Sequence, residues 1–329
     1  MTFHVSLYLL TVVILFIAML FYIKIADKLN IIDKPNNRSS HNYITVRGGG
    51  IVFWLATLLY VMSSAVETSA FHPATLYFIL GITLISIVSF WDDVASLPNK
   101  IRITIHFLAI SILFYGLGIF HFLPWWQIIF AYIFIVGTLN AYNFMDGING
   151  ITGLYSLSIL VALQYVNLQI LRFTPPDFIN YAILACIVFL FFNFRKQAKC
   201  FAGDIGSMAI AFWIVMLLLQ LMMQSQSVIW ILFLMVYGVD SIYTILHRLY
   251  LKQNIFHAHR LHFYQILTND RGLSHLIVSI GYAFTQLIIC LIIIILYQQF
   301  QPAIWIVGVG LLALYSLVYS LKFAMIKKI

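Results

Sequence analysis

Residues 140–150 read Asn140-Ala-Tyr-Asn143-Phe-Met-Asp146-Gly-Ile-Asn149-Gly150. The run is polar and punctuated by glycine, yet residues 128–139 before it and 151–170 after it read as membrane helices. Amide oxygens and a carboxylate are costly in such a place unless something uses them. The stretch therefore marks a turn between two membrane helices. It also marks a site at the membrane face, where these oxygens suit a magnesium diphosphate.

Composition extends that reading to the whole chain. Of 329 residues, 63% are hydrophobic and only 9% are charged, and the mean hydropathy is +1.00. Soluble domains do not have this composition. Length alone would suggest about two soluble domains, but repeated apolar runs of about 20 residues override that prior. The pattern predicts an all-α, polytopic integral membrane protein forming one transmembrane domain over residues 1–329. The alternating runs of an outer-membrane barrel are absent. Basic residues are spread over several short loops, which excludes a nucleic-acid ligand and leaves the lipid bilayer as the surrounding partner.

Eleven spans are predicted: 3–23, 50–66, 75–91, 102–119, 124–139, 151–170, 178–193, 205–223, 228–246, 275–297 and 302–321. No basic residue precedes the first span, whereas Lys24 and Lys28 follow it. That order places the N-terminus outside (periplasmic) and the C-terminus in the cytoplasm, and it does not match a cleaved signal peptide. With this assignment 17 of the 18 Lys and Arg residues fall on the inner side, Arg172 being the exception. Eight of the ten acidic residues follow them; only Glu67 and Asp177 fall outside. The chemistry is therefore expected at the cytoplasmic face. Cys186 and Cys290 lie in spans and read as core residues; Cys200 lies in a basic loop, where a reactive thiol is the alternative to a buried one.

Four further constellations lie on that face. The first inner loop carries Asp33, Arg38, His41 and then Arg47-Gly-Gly-Gly50. Three glycines opening a helix can leave amides free for an anion, or can simply let helices pack closely. Asp92-Asp93 closes the third span, with Arg102 and His106 one turn apart on the next. Adjacent carboxylates repel unless a cation or proton lies between them, so they bind metal, orient Arg102 or accept a proton, unless they are only a solvated helix end. Gly203-Asp204-Ile-Gly-Ser207 opens the eighth span, where Asp204 is either a helix cap or a metal ligand. Finally, Asp240 and Arg248 precede His257-Ala-His-Arg260-Leu-His262 in the longest inner loop. Without a matching cysteine pair the histidines do not read as zinc ligands. Arginine and histidine aimed at a diphosphate fit better.

In this order the five motifs resemble the polyprenyl-phosphate N-acetylhexosamine-1-phosphate transferases, the MraY/WecA superfamily or glycosyltransferase family 4, over nearly the whole chain. The resemblance implies an inner-membrane enzyme of bacteria in which undecaprenyl phosphate attacks a UDP-N-acetylamino sugar, UMP leaves, and an undecaprenyl-diphosphate-sugar begins a surface glycan such as an O-antigen. It implies Mg2+ as cofactor, with Mn2+ as a substitute, and Asn143 and Asp204 as its ligands. Asp92, Asp93 and Asp204 take the catalytic positions. Arg38, His41, Arg47, Arg102, Asn140, Asp146, Asn149, Asp240, Arg248, His257, Arg260 and His262 fall to the substrates. Homologues of the family suggest a homodimer. The Asp-Asp-x-x-x-Leu-Pro pattern at 92–98 and His-Arg-x-His-x-Tyr-Gln at 259–265 are similar to the WbpL-like branch, which often uses 6-deoxy-N-acetylhexosamines. The competing reading is a transporter or flippase for an anionic substrate, whose polar groups should recur near the bilayer midplane of repeat-related helices.

Overall fold

A computed structural model describes all residues except 1, 36–39, 41–42, 68–72, 255–258, 300–303 and 327–329. Arg38, His41 and His257 lie outside the described residues.

The fold is a bundle of long helices. In chain order they are α1 (Thr2–Lys28), α2 (Ile51–Glu67), α3 (Pro73–Val94), α4 (Asn99–Gly116), a short α5 (Ile119–Phe122), α6 (Trp125–Met145), α7 (Ile151–Gln169), α8 (Pro176–Asn193), α9 (Gly203–Ser225), α10 (Met235–Tyr250), a single turn α11 (Phe263–Gln265), α12 (His275–Gln299) and α13 (Ile304–Ile326). Among the described residues, eight helices are long and apolar enough to cross a membrane. One of them, Val228–Tyr250, joins a 3-10 turn (Val228–Leu234) to α10. The other three predicted spans correspond to α2, α4 and α13. The first has 17 residues, and α4 opens with Lys100 and Arg102. The protein is thus an all-α, multi-pass membrane protein.

The central helix is α9. It is apolar on every side and buried along almost its whole length, as expected of a helix surrounded by other helices. It packs on α2, α3, α6 and α7. By contrast, α1 and α6 expose rows of Leu, Ile and Phe, which suits contact with lipid.

Two features depart from a purely helical expectation. The first inner loop forms a two-stranded antiparallel ribbon, β1 (Ile32–Asp33) with β2 (Thr45–Val46), pairing Ile32 with Val46 and Asp33 with Thr45. Val46 also bridges to Cys200 in parallel. Runs of two residues are too short to carry an alternation that a sequence reading could detect. The second departure concerns the glycines before α2. The amides of Gly49 and Gly50 donate to the carbonyls of Phe201 and Ala202 at 2.8 and 3.0 Å, so they are not free for an anion. A Cβ on Gly50 would collide with the backbone of Gly206. Close packing of α2 against the start of α9 is the reason for that glycine.

Candidate active site

The start of α9, the end of α3, the start of α4 and the loop before α2 meet at one end of the bundle. This end is the one that the distribution of Lys and Arg predicts to be cytoplasmic. Arg47 is the central cation. Its Nε lies 2.6 Å from Asp93 Oδ1, and its Nη2 donates to Asp204 Oδ1 at 2.9 Å. Arg102, from the next helix, lies 2.9 Å from Asp92 and 3.7 Å from Asp204. Burial works against the Arg47 charge, but the carboxylates of Asp93 and Asp204 outweigh it and hold the guanidinium above its usual range.

The adjacent aspartates have different tasks. Asp93 caps α9 from another helix: Oδ1 accepts from the Asp204 amide at 2.8 Å, and Oδ2 accepts from the Ile205 amide at 3.1 Å. Its side chain is wholly buried. This is the task the sequence reading offered to Asp204 as an alternative, performed here by a residue from α3. Asp92 instead accepts from the Leu97 amide at 2.6 Å and pairs with Arg102.

Asn143, at the end of α6, faces the first turn of α9. Its Nδ2 donates to Ser207 at 3.4 Å. The residues brought together are therefore Arg47, Asp92, Asp93, Arg102, Asn143 and Asp204. Two bare carboxylates do not stay within hydrogen-bonding reach of each other without a proton or a cation. Arg102 supplies that cation between Asp92 and Asp204, and the side-chain oxygens of Asp92, Asp204 and Asn143 lie around it. This all-oxygen set suits a hard cation such as magnesium, which needs few protein ligands.

Other predicted residues lie around this cluster. Asp146 follows Asn143 and accepts from the Thr152 hydroxyl at 2.6 Å. Burial pushes its carboxyl up to about 7, and the Thr152 bond pulls it back. Asn140 donates to Val136 of its own helix at 2.8 Å, so its amide is turned away from Asn143. Asn149 is buried, and its Nδ2 donates to the carbonyls of Arg195 and Lys196. Its Oδ1 finds no partner among the described residues. It lines a cavity of about 350 Å³ together with Tyr43, Thr45, Lys196, Phe201 and His275. Of these, Phe201 donates its amide to Val46, next to Arg47, at 2.8 Å. Arg248 is buried, with Nη2 on the Asn254 carbonyl, and Arg260 is exposed. Asp240 and His262 form a separate buried group. The three cysteines are free and buried, and burial, with the nearby Asp146, pushes the Cys200 thiol up to about 12. The reactive-thiol alternative is thereby removed.

Sequence reasoning did not reach several participants. Thr152 is an ordinary helix residue in the sequence. Lys196 and Lys322 were counted only as charges that set topology. Tyr282 and Tyr319 carry no local signal, because their roles depend on helices far apart in the chain.

A membrane bundle whose acidic and basic side chains converge at one end, near a cavity that Asn149, Lys196 and His275 help to line, has the character of a membrane-embedded enzyme site. The chain is similar to known membrane transferases over part of its length. Residues 75–222 match the family model described as glycosyl transferase family 4. A relative from Bacillus subtilis (strain 168), called a probable undecaprenyl-phosphate N-acetylglucosaminyl 1-phosphate transferase, is 28% identical over 80% of this chain and 77% of its own. The undecaprenyl-phosphate alpha-N-acetylglucosaminyl 1-phosphate transferase of Salmonella typhi is 28% identical over 66% of this chain and 61% of its own. The phospho-N-acetylmuramoyl-pentapeptide-transferase of Petrotoga mobilis is 29% identical over 52% of this chain and 59% of its own. Over residues 75–222 the chain is thus similar to glycosyl transferase family 4.

Proposed function

We propose that this protein transfers an N-acetylamino-sugar 1-phosphate from a UDP-sugar to undecaprenyl phosphate, with magnesium, at the cytoplasmic face of a bacterial inner membrane. The products are undecaprenyl-diphosphate-sugar and UMP, and the reaction begins a cell-surface polysaccharide. The observation that carries this reading is the convergence of Asp92, Asp204, Arg47, Arg102 and Asn143 at one end of a membrane bundle. The names of the relatives supply the substrate class. A transporter would need such groups at mid-depth, on repeat-related helices.

The residues present account for the chemistry. An oxygen of the lipid phosphate bonds to the phosphorus that carries the sugar, the bond from that phosphorus to the UMP oxygen breaks, and UMP takes the electron pair. Both reactants are anions, so the approach needs fixed positive charge. Arg47 and Arg102 provide it, and their pairing with Asp92, Asp93 and Asp204 holds both guanidinium groups in place. Asp204, Asn143 and Asp92 are the oxygens that would hold magnesium. The bound ion supplies charge neutralisation on the diphosphate and the leaving phosphate. A phosphate monoester is largely ionised near neutral pH, so the attack needs no strong base, and Asp92 is assigned to charge organisation. The cavity beside Arg47 suits the nucleotide half of the donor, because Phe201 and Tyr43 offer rings and Asn149 an unpaired amide oxygen.

The test is UMP release by the purified protein in detergent, with undecaprenyl phosphate and a panel of UDP-N-acetylamino sugars, including N-acetylglucosamine and a 6-deoxy-N-acetylhexosamine. Release that requires the lipid, with the lipid-linked diphosphate sugar identified by mass, is the expected result. Folded protein that releases UMP from none of the donors contradicts the reading.

A further inference from the structure

The longest inner loop is anchored on one buried carboxylate. Asp240 lies in α10, away from the Arg47 cluster, and its side chain is fully buried. The Phe263 amide donates to both of its oxygens at 3.2 Å, and His262 Nδ1 lies 3.1 Å from Oδ1. From α12 the Tyr282 hydroxyl donates to Oδ2 at 2.6 Å, and from α13 the Tyr319 hydroxyl donates to Oδ1 at 2.7 Å. Lys322 of α13 is also buried, with Nζ 3.9 Å from Oδ1, and is held by Thr244 and Tyr319 at 2.7 and 2.8 Å. A carboxylate offers about four lone-pair positions, and protein donors fill those of Asp240. It pins residues 262 and 263 to three helices.

The next residue, Tyr264, is buried and reaches the other way, to α6. The last carbonyls of a helix have no amide ahead of them within the helix. At the end of α6 the Asn143 carbonyl accepts from the Asp146 amide at 3.3 Å, and the Met145 carbonyl from the Gly147 amide at 3.0 Å. The Phe144 carbonyl between them accepts from the Tyr264 hydroxyl at 3.0 Å. A side chain 120 positions further along the chain therefore caps α6. Gly147 makes the approach possible, because a Cβ there would collide with the Tyr264 hydroxyl. Asn143 lies in the same last turn of α6. Its Nδ2 donates to Ser207, so Oδ1 is the atom left for a cation. The direction of Oδ1 follows the last turn of the helix, and Tyr264 fixes that turn.

We propose that Tyr264 is a positioning residue of the active site: by capping α6 at Phe144 it sets the direction in which Asn143 presents Oδ1 to a divalent cation. This rests on the proposed transferase activity, with magnesium on Asn143. The Tyr264 hydroxyl is engaged with the Phe144 carbonyl, so it acts through the backbone of α6 and not on the ion. The two buried groups are thereby linked. Asp240, with α12 and α13, holds the loop, and the loop holds the helix end that carries Asn143. Groups that orient a metal ligand set metal affinity by about 10–100-fold.

The experiment measures ion binding directly. Mn2+ alone is titrated into wild type, Tyr264→Phe, Gly147→Ala and the double variant in detergent, and the free ion is counted by electron paramagnetic resonance. The magnesium dependence of UMP release is measured on the same proteins. Tyr264→Phe keeps the ring and loses only the hydroxyl. It should bind Mn2+ about 10-fold more weakly and need correspondingly more magnesium for half-maximal release, with turnover at saturating magnesium close to that of the wild type. Gly147→Ala displaces the same hydroxyl and should weaken binding alike, and the double variant should be no worse than Gly147→Ala alone. Unchanged Mn2+ binding in Tyr264→Phe would overturn the proposal. So would additive losses in the double variant, or a loss of turnover that saturating magnesium does not restore, since Tyr264 would then only support the fold. If Tyr264→Phe does not fold, Gly147→Ala decides by the same two readouts. Wild type that binds Mn2+ but releases no UMP counts against the transferase reading, whereas active wild type with unchanged ion binding in the variants counts only against this inference.

Discussion

Asp92 and Asp93 are adjacent in sequence and point about 100° apart on a helix. One pairs with Arg102, and the other caps α9. The sequence placed both at the inner face, but it could not divide their tasks, because the division depends on where α9 begins in space. The same holds for Arg47, which was legible as a phosphate-facing cation but not as the link between Asp93 and Asp204. The division has a measurable consequence. Asp93→Ala should lower both turnover and the thermal unfolding midpoint in detergent, since losing a helix cap costs about 1 kcal/mol. Asp92→Ala should reduce turnover by about 10-fold or more, as removal of a group that organises charge does, and leave the midpoint nearly unchanged. A variant pair with the reverse pattern would show that the assignment is wrong.

Elements explain what single residues cannot. The span entering α10 starts as a 3-10 turn, and the change to α-helix alters the hydrogen-bond pattern in a place without bulk water. Gln286 of α12 repairs the junction: its Nε2 donates to the Leu232 carbonyl at 3.2 Å, and its Oε1 accepts from the Val236 amide at 3.0 Å and the Tyr155 hydroxyl at 2.9 Å. Backbone groups inside a membrane must find such partners within the protein. Gln286→Leu should therefore destabilise the protein by about 1–3 kcal/mol, the cost of buried groups left unpaired, with KM for both substrates unaltered in the surviving folded fraction. An unchanged unfolding midpoint would contradict this account of the junction. Apolar length predicted this span, but the defect and its repair were not legible, since Gln286 and Val236 are 50 residues apart. The glycines before α2 show a similar limit. Their presence signalled close approach, but only the crossing with Gly206 shows what approaches.

At the scale of the molecule, the bundle was legible because a bilayer reduces the problem to span length and to the asymmetry of charge. The eleven predicted spans have their counterparts in long helical segments. Part of the expected site was also legible, since Arg47, Asp92, Asp93, Arg102, Asn143 and Asp204 do converge, whereas Asp240 and His262 form a separate group. The cavity beside Arg47 was not, because Tyr43, Asn149, Lys196 and His275 reach it from four separate loops and helix ends. The hold of α13 on Asp240 through Lys322 and Tyr319 was hidden for the same reason.

The measurement that bears most directly on the central claim compares UMP release by the wild type with that of Asp204→Asn, both shown to be folded, across a magnesium titration with undecaprenyl phosphate and the best UDP-sugar. The account predicts that wild-type release rises with magnesium and stops when the ion is chelated. It also predicts that the variant loses about 100-fold or more at every magnesium concentration, the scale at which removing one electrostatic stabiliser acts. Wild-type release that persists without a divalent ion, or an Asp204→Asn protein that keeps near-normal turnover, would contradict it.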